Sequence, residues 1–482
     1  MKAEFPDGSE IIADQRMLVQ EAESLSGRCS ARYLECAAAM AAALNLHGDR
    51  EQIREGVGWA RKAWSGSRDL LGKDHPETLR RLQLFARILG VFPESADECP
   101  RRWRSLVKGL GRHYGAEHPS TLDAVRHFAH YLETTLDYDE ALPLRQRLFD
   151  AANVADLSRA REEIVRTHTC LGHHEAAQRI LSEGIEGNAD RSHLARYRAN
   201  PVRETLRQRI FFSMHCLSRY FSRNAEEENR LGDERNGLAT GLIGTQLEKF
   251  GYQLARKKGA DFFEATLPGY VGNDRPHYLV GTHYGGHGAD AITGTVVLLE
   301  AARILGGHPA ARSLRFVVFT NAGTHARMCR ERGDAIAGMI CLDSLGYFSD
   351  KPGSQELVFP PEELPGSALA AMRKRGIDPA TGNFLVLLGN ADSRVLLEEF
   401  DAALDLSPEI PVAALEMPEL LDHLTYWDEG FPALLLTDTS YLRNPHYHLP
   451  TDTCETLDFE RLALQSERLA HALIRMAERL GH

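Results

Sequence analysis

The sequence predicts an α-helical repeat array followed by an α/β domain whose sheet is mainly parallel and covered by helices. Three observations carry this reading. A nine-residue motif recurs at a fixed offset in the first half, apolar runs alternate with helical patterns in the second, and the texture changes near residue 200. At 482 residues the chain is also too long for one ordinary core. The expected division is an N-terminal tail over 1–19, a helical repeat domain over 20–195 and an α/β domain over 200–482.

The repeat is legible residue by residue. LGKDHPETL at 71–79 returns as YGAEHPSTL at 114–122, His118 standing 43 positions after His75. Each copy leads into an amphipathic run, RRLQLFARIL and DAVRHFAHYL. DYDEALPLRQRLF at 137–149 is echoed about 35 residues later by HHEAAQRIL at 173–181. Pro76 and Pro119 punctuate helix boundaries, and the small Ala141 and Ala176 suit close helix crossings. These units resemble tetratricopeptide repeats, in the longer variety found in kinesin light chain. The resemblance implies stacked helix pairs with a concave surface for a peptide or protein partner, or for the adjacent domain. A generic helical bundle is the plainer alternative.

The second half begins with a helical stretch around 201–220, whose apolar residues differ from Gly/Ser linker composition. HYLVGTHY, LRFVVFT, AIAGMICLDSLGY, NFLVLLGN and FPALLLTDT then read as buried strands, and 459–480 as a closing amphipathic helix. Ligands of such sheets gather at the carboxyl ends of the strands. There the sequence places His283, Asp290, Asp343 and His448, imidazoles and carboxylates suited to zinc or a similar divalent ion. Taken singly, each is more often a helix cap or a solvated loop residue.

Bulk properties exclude several functions. The net charge of −12 gives no broad attraction to nucleic acid. No run approaches the roughly 18 apolar residues of a membrane span, and MKAEFPDGSEIIADQRM lacks the apolar segment of a secretion signal. The eight cysteines form no C-x-x-C pair and suit a reducing compartment, so a cytoplasmic protein is expected.

HYLVGTHY with GADAITGTVVLLEAARIL, SLRFVVFTN, ICLDSLGYFSDKPGSQ, LLGN and DHLTYWDEGFPALLLTDTSYLRNPHYHLPTDTCETLDF, in that order, resemble the dinuclear zinc aminopeptidases. That fold also serves glutaminyl cyclase. The resemblance implies metal ligation by His283, Asp290 (bridging), Asp343 and His448, with Asp422 and His423 as a supporting pair. It also exposes a break. The family's two consecutive glutamates, one a general base and one a metal ligand, fall on Ala322 and Gly323. A general base contributes about 10²–10⁴-fold, so losing it together with a metal ligand would nearly abolish hydrolysis by the family route.

The residue two after His283 is Gly285 where the family has an Asp, and the loop YGGHGA is short. His287 and His325 are the candidates for a substitute ligand or base, against a plain reading as solvent-exposed loop histidines. The resemblance therefore implies one zinc ion at most, or a metal-free domain. Three readings stay open: a pseudo-peptidase used for recognition, a metal-dependent enzyme of altered chemistry on an amino-acid or peptide ligand, and an ordinary peptidase. The last requires a carboxylate such as Glu331 to reach the site from a helix that begins late.

Overall fold

The computed structural model describes residues 8–92, 95–153, 156–182, 200–218, 239–256, 262–284, 288–356, 366–404, 410–416 and 424–480. The chain divides into two compact units, Met1–Ala189 and Asp190–His482.

The first unit is helical throughout its described residues. Its helices are α1 (Gly8–Ser26), α2 (Ala31–His47), α3 (Arg50–Leu71), α4 (Pro76–Leu89), α5 (Glu98–Tyr114), α6 (Pro119–Glu133), α7 (Tyr138–Asp150), α8 (Leu157–Cys170) and α9 (His174–Ser182). Each packs on its neighbour in sequence along the array. Residues expected to form a tail are helical from Gly8, because α1 buries Ile12, Val19 and Ala22 against α2.

The His-Pro motif acts as a helix start. His75 and His118 are N-caps whose Nδ1 accepts from the backbone N–H of Glu77 and Ser120, each at 3.2 Å, and Pro76 and Pro119 occupy the first helical position. Termination of the preceding helix falls to Gly72 and Gly115, whose φ values of 92° and 102° no β-carbon tolerates well.

The period extends to tertiary contacts. Arg61 pairs with Glu98 at 2.7 Å, and one repeat later Arg104 pairs with Glu140 at 2.6 Å. Lying near the surface, such pairs contribute little stability but mark equivalent positions. Ala141 is fully buried as expected, whereas in α9 it is Ala177 rather than Ala176 that enters the core. Beneath α6–α8, Arg145 forms a bidentate pair with Glu133 at 2.9 and 2.6 Å, both side chains almost wholly buried.

The second unit is built on an eight-stranded, mixed but mostly parallel sheet. Its strands are β1 (Gln253–Arg256), β2 (Phe262–Thr266), β3 (His277–His283), β4 (Leu314–Phe319), β5 (Ile336–Leu342), β6 (Leu385–Gly389), β7 (Val412–Glu416) and β8 (Ala433–Thr437). Their order is β1-β2-β4-β3-β5-β8-β6-β7. β4, β3, β5 and β8 run parallel, as do β6 and β7, whereas β1, β2 and the β8–β6 junction are antiparallel. The central strands are apolar on both faces because helices cover both.

α10 (Pro201–Leu217) packs on α12 (Thr293–Leu305) and on the closing α18 (Phe459–Leu480), with α11 spanning 239–249. Arg209 of α10 donates to the buried Glu300 of α12 at 2.9 Å. The helical stretch at the start of this half is thus part of the α/β unit. α13 (Ala322–Arg332), α14 (Gly366–Lys374), α15 (Arg394–Leu404), α16 (Leu424–Asp428) and α17 (Ser440–Arg443) complete the described helices of the unit. No helix among the described residues is long and apolar enough to cross a membrane.

Candidate functional site

The parallel strands β3, β4, β5 and β8 lie side by side, and His283, Asp290 and Asp343 follow or close two of them. His283 closes β3, and its Nε2 donates to the backbone oxygen of Thr320 at 3.0 Å, which leaves Nδ1 as the ring's lone-pair nitrogen. Asp343 directly follows β5 and is half-buried. Asp290 lies in a short 3₁₀ turn that runs into α12, with no exposed surface. Its Oδ1 accepts from Gly346 N–H at 3.2 Å and from Thr293 at 3.4 Å. His448 is exposed, its ring stacked on Tyr447 at 4.0 Å and its backbone in the left-handed region at φ 59°. His287, Asp422 and His423 lie outside the described residues.

Asp290 has neighbours that sequence reasoning passed over. Asp452 Oδ2 accepts from Asp290 N–H at 3.3 Å, and Gly288 must lack a β-carbon because one would collide with that carboxylate. Asp438 follows β8 and accepts from Tyr347 N–H at 2.8 Å. Burial raises all three carboxyls: Asp452 is pushed up to about 7, with Asp290 adding repulsion, and Asp438 rises well above its ordinary range for the same two reasons. The cation beside them is Arg443, itself buried and hydrogen-bonded to Gln355 at 2.7 Å and to the backbone oxygen of Phe384 at 2.9 Å. Asp290 Oδ2, Asp438 Oδ1, Asp452 Oδ1 and Ser440 Oγ are buried without a well-formed hydrogen bond. Ser344 and Thr439 adopt φ values of 44° and 60° here, so strained backbone also collects at this end of the sheet.

Among the described residues one group of three or more His, Cys, Asp or Glu side chains brings its donor atoms within 4.8 Å of one another, and it contains none of His283, Asp290, Asp343 or His448. That group is Glu264, His325 and Cys329, a buried triad close enough to hold a metal ion.

The glutamate-pair position is equally clear. Asn321 caps α13 with its side chain on Thr324 N–H at 3.2 Å, so the helix begins at Ala322 immediately after β4. Glu331 is exposed in the last turn of α13, roughly 13 Å along the axis from its start at about 1.5 Å per residue. A late-starting helix that would deliver it to the site does not exist. Ala322 is 6% exposed and belongs to the apolar core with Phe262, Phe319 and Tyr426.

His325 is neither an exposed loop histidine nor a residue open to substrate. It lies inside α13 with no exposed surface, bonded through Nδ1 to Tyr426 Oη at 2.6 Å and through Nε2 to Glu264 at 3.0 Å. Burial lowers the pKa of its imidazole, outweighing the bond to Glu264, which raises it. Cys329 is a core thiol, pushed up to about 12 by burial. None of the eight cysteines is in a disulfide.

No protein-family model matches the chain. An uncharacterized protein of Escherichia coli K12, YfbL, is 26% identical over 229 residues, covering 42% of this chain and 67% of that protein. Among solved structures, the LapA aminopeptidase of Legionella pneumophila is similar over 68% of this chain and 90% of its own, with 14% identity and a TM-score of 0.42. A kinesin light chain protein of Podosopora anserina with nearly identical TPR-like repeats is similar over 36% of this chain and 84% of its own, with 17% identity and a TM-score of 0.33.

Proposed function

We propose that this chain is a zinc-peptidase-like protein that recognises an amino-acid or peptide ligand without hydrolysing it, and that its repeat unit binds a peptide or protein partner. One observation carries the reading: the position matching the family's general base is Ala322, which packs into the apolar core at the start of α13. With no carboxylate there, nothing at that position takes a proton from an attacking water. The cytoplasm, where unpaired thiols persist, is the proposed location.

The second reading, a metal-dependent enzyme of altered chemistry, is favoured by His283, Asp290 and Asp343 standing together at the strand ends. Hydrolysis and cyclisation of N-terminal residues are its candidate reactions. Purified full-length chain, assayed with and without added Zn²⁺ against fluorogenic aminoacyl amides and N-terminal glutaminyl peptides, separates the two. Recognition alone predicts rates at background. Turnover lost in Asp290→Asn favours the altered enzyme.

A further inference from the structure

The buried cluster of β2 and α13 shares no residue with the strand-end site. Glu264 comes from β2, and His325 and Cys329 are one turn apart on the same face of α13. Nε2 of His325 is 3.0 Å from Glu264 Oε1, and Cys329 Sγ is 3.7 Å from the same nitrogen. A metal held at about 2.0 Å by nitrogen and oxygen and about 2.3 Å by sulfur sets its donors roughly 3.3–3.6 Å apart. Two of the three edges therefore already stand near those of such a coordination shell, and the third pair of donors lies within 4.8 Å. The mix of carboxylate, imidazole and thiol is a borderline set that suits zinc.

We propose that Glu264, His325 and Cys329 form a buried zinc site that ties β2 to α13, independent of the residues at the strand ends.

The surroundings support it. Tyr426 Oη, 2.6 Å from Nδ1, is the outer partner that orients a ligating imidazole. Glu264 is held ionised: burial opposes this, but bonds from His325 and Arg332 outweigh it. Arg315 and Arg332 are balanced by Glu264 and Asp334, so the ring is neutral before an ion enters. Their guanidinium groups lie 3.6 and 3.8 Å from Cys329 Sγ, placed to donate to a thiolate. On binding, the thiol proton leaves to solvent, the imidazole carries its proton on Nδ1 facing Tyr426, and the thiolate offsets half of the ion's charge.

The test uses the full chain loaded with Zn²⁺, gel-filtered and analysed for metal content, beside Cys329→Ser and Asp290→Asn. One zinc per chain in wild type and Asp290→Asn, with at least tenfold weaker retention in Cys329→Ser, is expected. Replacement by Co²⁺ should give a thiolate-to-cobalt charge-transfer band in the wild-type protein, which decides the matter even if Cys329→Ser fails to fold. No retained metal, a cobalt form without that band, or retention that depends on Asp290 and not on Cys329 would overturn the proposal.

Discussion

Glutamates placed one at a time at positions 322 and 323 should have different effects on stability. Ala322 is 6% exposed and packed among Phe262, Val317, Phe319 and Tyr426. Ala322→Glu forces a methylene group and a carboxyl group into that core, costing about 1–3 kcal/mol for overpacking. It also leaves the buried carboxyl without a partner, about 1–3 kcal/mol more. The sum of roughly 2–6 kcal/mol lowers the melting temperature of the α/β unit by roughly 3–10 °C.

Gly323 differs. A β-carbon there meets Asn321 Oδ1 at 3.3 Å and Thr425 Cγ2 at 3.5 Å, so only the capping side chain has to yield slightly. Removing a helical glycine contributes about 0.5–1 kcal/mol, and a carboxylate in the first turn adds about 0.3–1 kcal/mol through the helix dipole. Gly323→Glu is therefore neutral or mildly stabilising. Differential scanning calorimetry of both variants is the assay. Equal melting temperatures, or Gly323→Glu as the weaker protein, would refute the assignment of position 322 to the core.

Other outcomes follow from the same structure. Glu133→Ala removes the bidentate partner of the buried Arg145, leaving it Glu163, and should destabilise the repeat unit by about 1–3 kcal/mol, read by urea unfolding. Glu133 is held below its ordinary value of 4.5, where burial works against the Arg145 bonds and loses; its stabilisation is thus complete above that pH and lost as the pH falls through the depressed value. Circular dichroism against pH should show this acid loss, and Glu133→Gln should remove its share. His75→Ala and His118→Ala each remove an N-cap and should cost about 0.5–2 kcal/mol in chemical unfolding. Gly288→Ala, at φ 85° and against the Asp452 carboxylate, should lower thermal stability, whereas Gly353→Ala at an open turn should do so by less.

Much of this architecture is legible in the sequence because its signals are local. The His-Pro caps announce α4 and α6, and the apolar runs ending at His283, Phe319 and Leu342 announce β3, β4 and β5. β1 and β2 escape because QLAR and FFEAT are short antiparallel segments at one side of the sheet, one of them carrying a buried Glu264 that reads as a surface residue. β7 escapes for similar reasons of length. At the strand ends, residue type locates His283, Asp290 and Asp343, but convergence is a property of loops and cannot be read from spacing. His325 shows the limit most sharply, since its burial is decided by Glu264 and Tyr426, 61 and 101 positions away. The His325–Cys329 spacing of one helical turn is the signal in the sequence that points to it.

The most direct test of recognition without hydrolysis measures binding and chemistry in the same tube. Wild-type chain is incubated with a dipeptide and aminoacyl-amide library, its melting temperature is recorded, and the mixture is then analysed by mass spectrometry for cleaved or cyclised product. A ligand is expected whose presence raises the melting temperature while the ligand itself stays intact. Product that accumulates with wild type and disappears with Asp290→Asn would contradict it.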